Sequence, residues 1–293
     1  MNYTIKNEFY TATVSNIGAE LISLKSAEEV EFIWQNTGDF WNSHAPILFP
    51  ACGRILNSKY SYNGVEYPLT THGFIKDVEF SPVLHEKNHL KLVFSSNETT
   101  LKTYPFDFTF EADFLLTGDT LNFTVKITNN SSDTMPYMFG WHPGFILPTD
   151  KGQDIEDYKI ALGEDIRSLR WFTLQNGPFV CPTPKEYKLE RGEYKLCEEE
   201  IYANDTMIFE GHKNKATLYA DGYPYELYMT WSDNIPELCI WKEDSNLAKF
   251  ICIEPWDSLP NDGLQEENFN TRKMSRLASG KDVNYSYTVR IKH

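Results

Sequence analysis

The stretch Phe108–Thr128, "FTFEADFLLTGDTLNFTVKIT", decides the fold. Its first half sets Phe108, Phe110, Ala112 and Phe114 at alternate positions, and its second half resumes with Leu121, Phe123, Val125 and Ile127 after turn material at Thr117–Thr120. A period of two marks a strand with one buried face, and two such runs separated by a short turn read as a hairpin. The same alternation returns in "VNYSYTVRIK" through Val283, Tyr285, Tyr287, Val289 and Ile291, and again in "HLKLVFSS" and "FYTATVS". Helical periodicity is scarce. Its best candidate, Leu264–Arg276, is polar for most of its length. Many short antiparallel strands with almost no helix predict an all-β chain built as a large antiparallel β-sandwich. Between Lys151 and Glu200, proline, glycine and charge are mixed, which predicts long loops over the sandwich rather than a linker between domains.

Composition bounds what such a chain does. All-β units often reach this length of 293 residues as one domain, so a single unit spanning 1–293 is expected. With 41% hydrophobic against 24% charged residues, the chain has the apolar material to form a core. A formal net charge of -15 opposes approach to phosphate backbones and anionic membrane surfaces, so neither nucleic acid nor membrane is an expected partner. The opening "MNYTIKNEFYTATVSN" lacks the basic start and apolar core of a signal peptide, and no apolar run is long enough to cross a bilayer; a cytoplasmic location is expected. Five cysteines at irregular spacing, without C-x-x-C, indicate neither a disulfide framework nor a zinc knuckle.

One motif is a decoy. "HEKNH", His85–His89, satisfies H-E-x-x-H, but that pattern binds zinc only when its two histidines share a helical face. Pro82 precedes it and an alternating run follows, so the segment reads as a hairpin tip and no metal is expected there. G-x-S-x-G, G-x-G-x-x-G and P-loop signatures are missing, which removes the usual sequence support for serine-hydrolase and nucleotide-binding readings.

Three segments share a grammar: an acid/base group beside an aromatic and a backbone punctuator. "THGFIKD" sets His72 before Gly73 and Phe74, "GWHPGF" sets His142 between Trp141 and Pro143, and "FICIEPW" sets Glu254 before Pro255 and Trp256. A residue preceding proline is driven out of the α region, so His142 and Glu254 belong at or near strand ends. Alternation puts Phe250, Cys252 and Glu254 on one strand face and Ile251 and Ile253 on the other, leaving the carboxylate with apolar neighbours. Burying an anionic carboxylate costs several kcal/mol unless donors compensate. Such a glutamate is raised in pKa, hydrogen-bonded or both, and these are the conditions for a general base near neutral pH. Each residue alone also fits a bland reading, a turn histidine or a solvent-facing strand-end glutamate; the combination shifts the balance.

Taken in order, "HAPILFPACGRI", "THGFIKD", "GWHPGF" and "CIEPW" resemble the aldose 1-epimerase (galactose mutarotase) family, most closely its LacX-like branch, with blocks spread over residues 44 to 256. The resemblance implies a galactose mutarotase-like supersandwich with a sugar in an open cleft on one sheet, an isomerase interconverting α and β anomers of an aldohexose or hexose phosphate, and no cofactor. It further implies that Glu254 takes the proton from the anomeric hydroxyl, that His142 protonates the ring oxygen, and that His72 hydrogen-bonds the sugar. Arg54 and Asp205 resemble residues that bind sugar hydroxyls. Lys76 stands where relatives acting on hexose 6-phosphates often carry arginine, so a free or a phosphorylated sugar is left open. Opening a hemiacetal needs one base and one acid, expected on opposite sides of the anomeric centre. Trp141 and Trp256 fit either a sugar-packing or a core role. Two rival readings remain: a non-catalytic carbohydrate-binding sandwich, and a glycoside hydrolase or lyase, for which a second carboxylate partner of Glu254 is missing from the sequence. Oligomeric state is not legible.

Overall fold

A computed structural model describes residues 1–38, 40–196, 206–243, 245 and 247–293. The hairpin read from the sequence is its centre. Phe108–Thr117 and Thr120–Asn129 pair in register, with Phe114 opposite Phe123 and a two-residue loop at Gly118-Asp119. Gly118 has φ +53°, which a glycine adopts without a Cβ penalty. Asp282–Lys292 adds to the free side of this hairpin, Tyr287 facing Phe123. The alternate residues of all three strands are buried.

Around them lies a nine-stranded sheet, counted among the described residues. It runs in the order Glu193–Lys195, Tyr158–Ala161, Lys215–Ala220, Glu226–Trp231, Asp282–Lys292, Thr120–Asn129, Phe108–Thr117, His89–Ser95 and Ser81–His85. An eight-stranded sheet packs against it, with Lys185–Lys188, Ser168–Phe172, Thr206–Glu210, Glu237–Trp241, Phe250–Trp256, Gly140–Trp141 and Ile47–Leu48 in sequence across it and Gly144–Ile146 also pairing with Phe250–Trp256. Aromatic rings bridge the two layers. Phe123 and Tyr287 of one sheet meet Trp141 of the other at centroid distances of 5.1 and 5.2 Å, and Tyr285 stacks on Phe139 at 4.1 Å. Burial of each large apolar side chain in such a layer contributes about 1.5–3 kcal/mol. The fold is therefore the antiparallel β-sandwich that the alternation predicts.

Two local expectations fail. Leu264–Arg276 forms no helix; it holds the two-residue strand Glu267–Asn268 and turns, and Ser275–Leu277 follows as another short strand. Its polar side chains serve the backbone instead: Arg272 donates to the carbonyls of Leu259 and Pro260, and Asn268 Oδ1 accepts from Asn270 N. Nor is the described part of the 151–200 stretch, residues 151–196, only long loops. Tyr158–Ala161 and Glu193–Lys195 widen the nine-stranded sheet, while Ser168–Phe172 and Lys185–Lys188 widen the other.

The "HEKNH" segment closes the hairpin between Ser81–His85 and His89–Ser95. Its imidazoles go to different partners, His85 Nε2 to the carbonyl of Thr4 and His89 Nε2 to Asp113. No helix among the described residues is long and apolar enough to cross a membrane.

Candidate active site

Strand pairing brings the key residues together. Phe250–Trp256 lies inside the eight-stranded sheet, buried at every position. On one side Cys239 pairs opposite Glu254. On the other, Gly140 pairs with Trp256 and Gly144 with Cys252, a register that places His142 directly across from Glu254. Pro143 lacks an N–H and interrupts the ladder there. The His142 N–H donates to the carbonyl of Pro46 at 3.0 Å, tying the histidine to the neighbouring strand segment. His142 Nε2 and a Glu254 carboxyl oxygen are consequently 3.2 Å apart, with His142 7% and Glu254 1% exposed.

His72 approaches from a loop. It adopts φ +65°, uncommon for a residue with a Cβ, and Gly73 follows at φ +72°. A side chain at Gly73 would stand 2.2 Å from the carbonyl oxygen of Phe49, so only glycine fits. Two reciprocal bonds lock the turn: His72 N–H donates to the Gly53 carbonyl at 3.0 Å, and Gly53 N–H donates to His72 Nδ1 at 3.1 Å. With Nδ1 accepting, the neutral ring carries its proton on Nε2. Its ring lies 5.3 Å from that of His142, edge to face.

These groups share one cavity of about 210 Å³. That is below the ~300–1,000 Å³ common for drug-sized ligands and suits a monosaccharide-sized molecule. Trp41, Trp241 and Trp256 line it with His72, His142, Glu254 and Arg54. Arg54 is exposed, whereas Lys76 stands off the cavity wall in the short turn Ile75–Asp77, its ammonium 2.6 Å from Asp77. Asp205 lies outside the described residues. Trp141 is wholly buried in the inter-sheet core with its indole N–H on the Ala45 carbonyl, so of the two tryptophans flanking the motifs only Trp256 reaches the cavity. Trp41, Trp241 and Cys239 are cavity residues that the motif reading missed; Trp241 and Cys239 share the alternating face of Glu237–Trp241, a signal present in the sequence.

The electrostatics follow from burial. It pushes the Glu254 carboxyl well above the usual carboxylate range, while the nearby Cys239 thiol and Trp256 indole pull the other way. Neither carboxyl oxygen has a well-aligned hydrogen bond among the described residues, nor does His142 Nδ1. Burial, with a further contribution from His72, holds the His142 imidazole well below its ordinary value. His72 is lowered to about 4 by burial and then by the charges of Lys76 and Arg54. Lys76 thus acts on the site through space. Both His142 and Glu254 resist charge, so the pair carries one proton over a wide pH range, and a carboxyl group on a cavity wall without a well-aligned hydrogen bond among the described residues is poised to bond ligand hydroxyls.

His142 and Glu254 are side by side rather than facing each other across a hexose-wide gap. This corrects the expectation of opposed groups. The two oxygens of a hemiacetal that exchange protons during ring opening are bonded to the same carbon, so adjacent groups reach both from one side. A His142 ring nitrogen, Cys252 Sγ and a Glu254 oxygen also lie within 4.8 Å of one another, a set able to hold a soft metal ion. Cys252 is not on the cavity wall, however, and burial followed by the Glu254 charge pushes its thiol up toward the protonated form.

Comparison with known proteins agrees with this architecture. The family model described as aldose 1-epimerase matches residues 1–287. Protein LacX of Lactococcus lactis subsp. lactis is 28% identical over 289 residues, covering 92% of this chain and 91% of that protein. A galactose mutarotase related enzyme from Lactobacillus acidophilus superposes with a TM-score of 0.92 at 29% identity, covering 100% of this chain and 98% of the other. A galactose mutarotase-like protein from Lactobacillus casei gives 0.90 at 27% identity, with coverage of 99% and 100%. A buried Glu254–His142 pair on a sugar-sized cavity and a family match running almost end to end lead to one assignment: this chain belongs to the aldose 1-epimerase family.

Proposed function

We propose that the protein interconverts the α and β anomers of an aldohexose or its phosphate. The one proton of the neutral pair first crosses the 3.2 Å from Glu254 to His142; the Glu254 carboxylate then takes the proton of the anomeric hydroxyl while the His142 imidazolium delivers one to the ring oxygen. The bond from C1 to the ring oxygen breaks, and C1 becomes the aldehyde carbon. Rotation about C1–C2 and reclosure give the other anomer, with the two groups exchanging roles as microscopic reversibility requires. Reclosure restores the carboxylate and the imidazolium, and return of the proton to Glu254 gives the neutral resting pair. His72, with Nδ1 occupied, presents Nε2–H as a donor to the oxygen that gains charge. Arg54 at the cavity rim is placed to bind hydroxyls or a phosphate.

The observation that carries this reading is the pairing of a buried acid and a buried base, 3.2 Å apart, on the wall of one sugar-sized cavity. Its test is direct. Freshly dissolved α-glucose, α-galactose and α-glucose 6-phosphate are followed by polarimetry or proton NMR, and the protein is expected to speed equilibration of at least one of them, with EDTA making no difference. Sugar binding without faster equilibration of any aldose would make the protein a carbohydrate binder instead.

A further inference from the structure

We propose that Trp41 is a positioning residue for His142: its indole fixes the plane of the imidazole so that Nε2 stays beside Glu254 at the cavity. The inference rests on the acid role given to His142 above. Trp41 stacks on the His142 ring at 4.9 Å and 27°, and on Phe250 at 5.5 Å and 13°, while Trp241 meets it edge-on at 5.5 Å. The described residues around it, 35–38 and 40–46, form no strand, yet the two ends of the segment are tied together. Trp34 N–H donates to the Gly144 carbonyl and Gly144 N–H donates to the His44 carbonyl, both at 2.8 Å, so Gly144 anchors its two ends. His44 Nδ1 donates to the Trp34 carbonyl at 2.6 Å, and the Trp34 indole N–H donates to the Trp41 carbonyl at 3.0 Å. Glu20 fastens the far end by accepting from the N–H groups of His44 and Ala45.

Gly144 also supplies the space. A Cβ there would lie 2.7 Å from Trp41 Cζ3 and 3.2 Å from Trp34 Cβ, so any side chain forces the Trp41 indole to shift from its present place on His142. The "GWHPGF" motif therefore has two parts, the histidine that reacts and the glycine that admits its cover. Stacking matters here because His142 Nδ1 has no hydrogen-bond partner among the described residues to orient the ring, which is the usual way an active-site histidine is held. A misplacement near 1 Å costs up to about 100-fold in rate.

The test compares Trp41→Leu, Trp41→Phe and Gly144→Ala. The expected result for Trp41→Leu is a kcat lowered about 10- to 100-fold with KM changed less than about threefold. Trp41→Phe should restore most of the rate, and Gly144→Ala should reproduce the loss with Trp41 itself intact. A second readout needs no turnover. The His142 imidazole resonance, assigned by its absence in His142→Asn, should titrate differently in Trp41→Leu and Gly144→Ala than in the wild type. The groups facing that ring are Glu254 and Cys252 on the adjacent strand and His72 from its loop, and none of them is altered by these substitutions. An unchanged kcat with a raised KM would make Trp41 a sugar-binding surface and overturn the proposal. So would an unchanged His142 titration in folded Trp41→Leu and Gly144→Ala proteins. Should the wild type fail to accelerate any aldose, the functional reading falls, while the titration still decides what Trp41 does.

Discussion

Glu254→Gln is expected to lower the rate of anomer interconversion by about 10²–10⁴-fold, the span typical for loss of a general base. Glutamine keeps the volume and one carbonyl oxygen but cannot hold the proton of the anomeric hydroxyl. Since Glu254 is 1% exposed and sits within a fully buried strand, no other carboxylate among the described residues lines the cavity to replace it. The same substitution should alter stability in the opposite sense. With its folded-state pKa raised by burial, Glu254 binds a proton in the folded chain at pH values where the unfolded chain has released it. Wild-type stability consequently declines as pH rises from the ordinary carboxylate range toward the raised value. Glutamine lacks that slope. Denaturation of both proteins at acid and at mildly alkaline pH should show a stability difference that grows in favour of Glu254→Gln as pH increases. A difference that shrinks would mean that Glu254 is ionised and well compensated in the folded state.

A second large effect concerns the pH dependence of turnover. The proposed mechanism needs one proton on the Glu254–His142 pair. Removing it leaves a buried carboxylate beside a neutral ring, which burial opposes by raising Glu254; adding another creates a buried imidazolium, which burial opposes by lowering His142. The two apparent values belong to the pair and are driven apart. The expected kcat/KM profile is therefore a broad plateau across neutrality, with its acid limb below the ordinary histidine range and its alkaline limb above the ordinary carboxylate range. His72, lowered to about 4, adds to the acid limb when it gains charge and ceases to be a neutral donor. A profile governed by a single group titrating at about 6.5, like a free histidine, would contradict the shared-proton description.

How much of this was legible in the chain depended on period and punctuation. Phe108–Thr128 could be read because its strands are ten residues each and their buried faces alternate without a break. Lys151–Glu200 could not, because its strands are two to five residues long and too short to establish a period. Leu264–Arg276 invited a helix only because little else in it was periodic; its asparagines and arginines bond to nearby backbone, which favours turns. In the site, His72, His142 and Glu254 stood out because each sits beside a glycine or proline that fixes its backbone, and all three line the cavity. Their distances were not legible. That His142 faces Glu254 across one ladder follows from the pairing of Gly140 with Trp256 and Gly144 with Cys252, a long-range fact that local patterns do not carry. Trp41 was missed for a related reason: its segment has no period, and its role depends on a glycine about a hundred residues away in sequence. For Lys76 the motif position did not carry its surroundings: the ammonium is paired with Asp77, off the cavity wall.

The most direct measurement is anomer exchange by NMR at equilibrium, on a substrate that the wild type accelerates, for the wild type, Glu254→Gln, His142→Asn and the double variant. Groups that act as a unit on one proton lose their function together, so each single change should remove nearly all of the acceleration and the double change should remove little more. Acceleration persisting in Glu254→Gln, or losses in the two single variants that multiply in the double, would mean that Glu254 and His142 do not work as a shared acid and base.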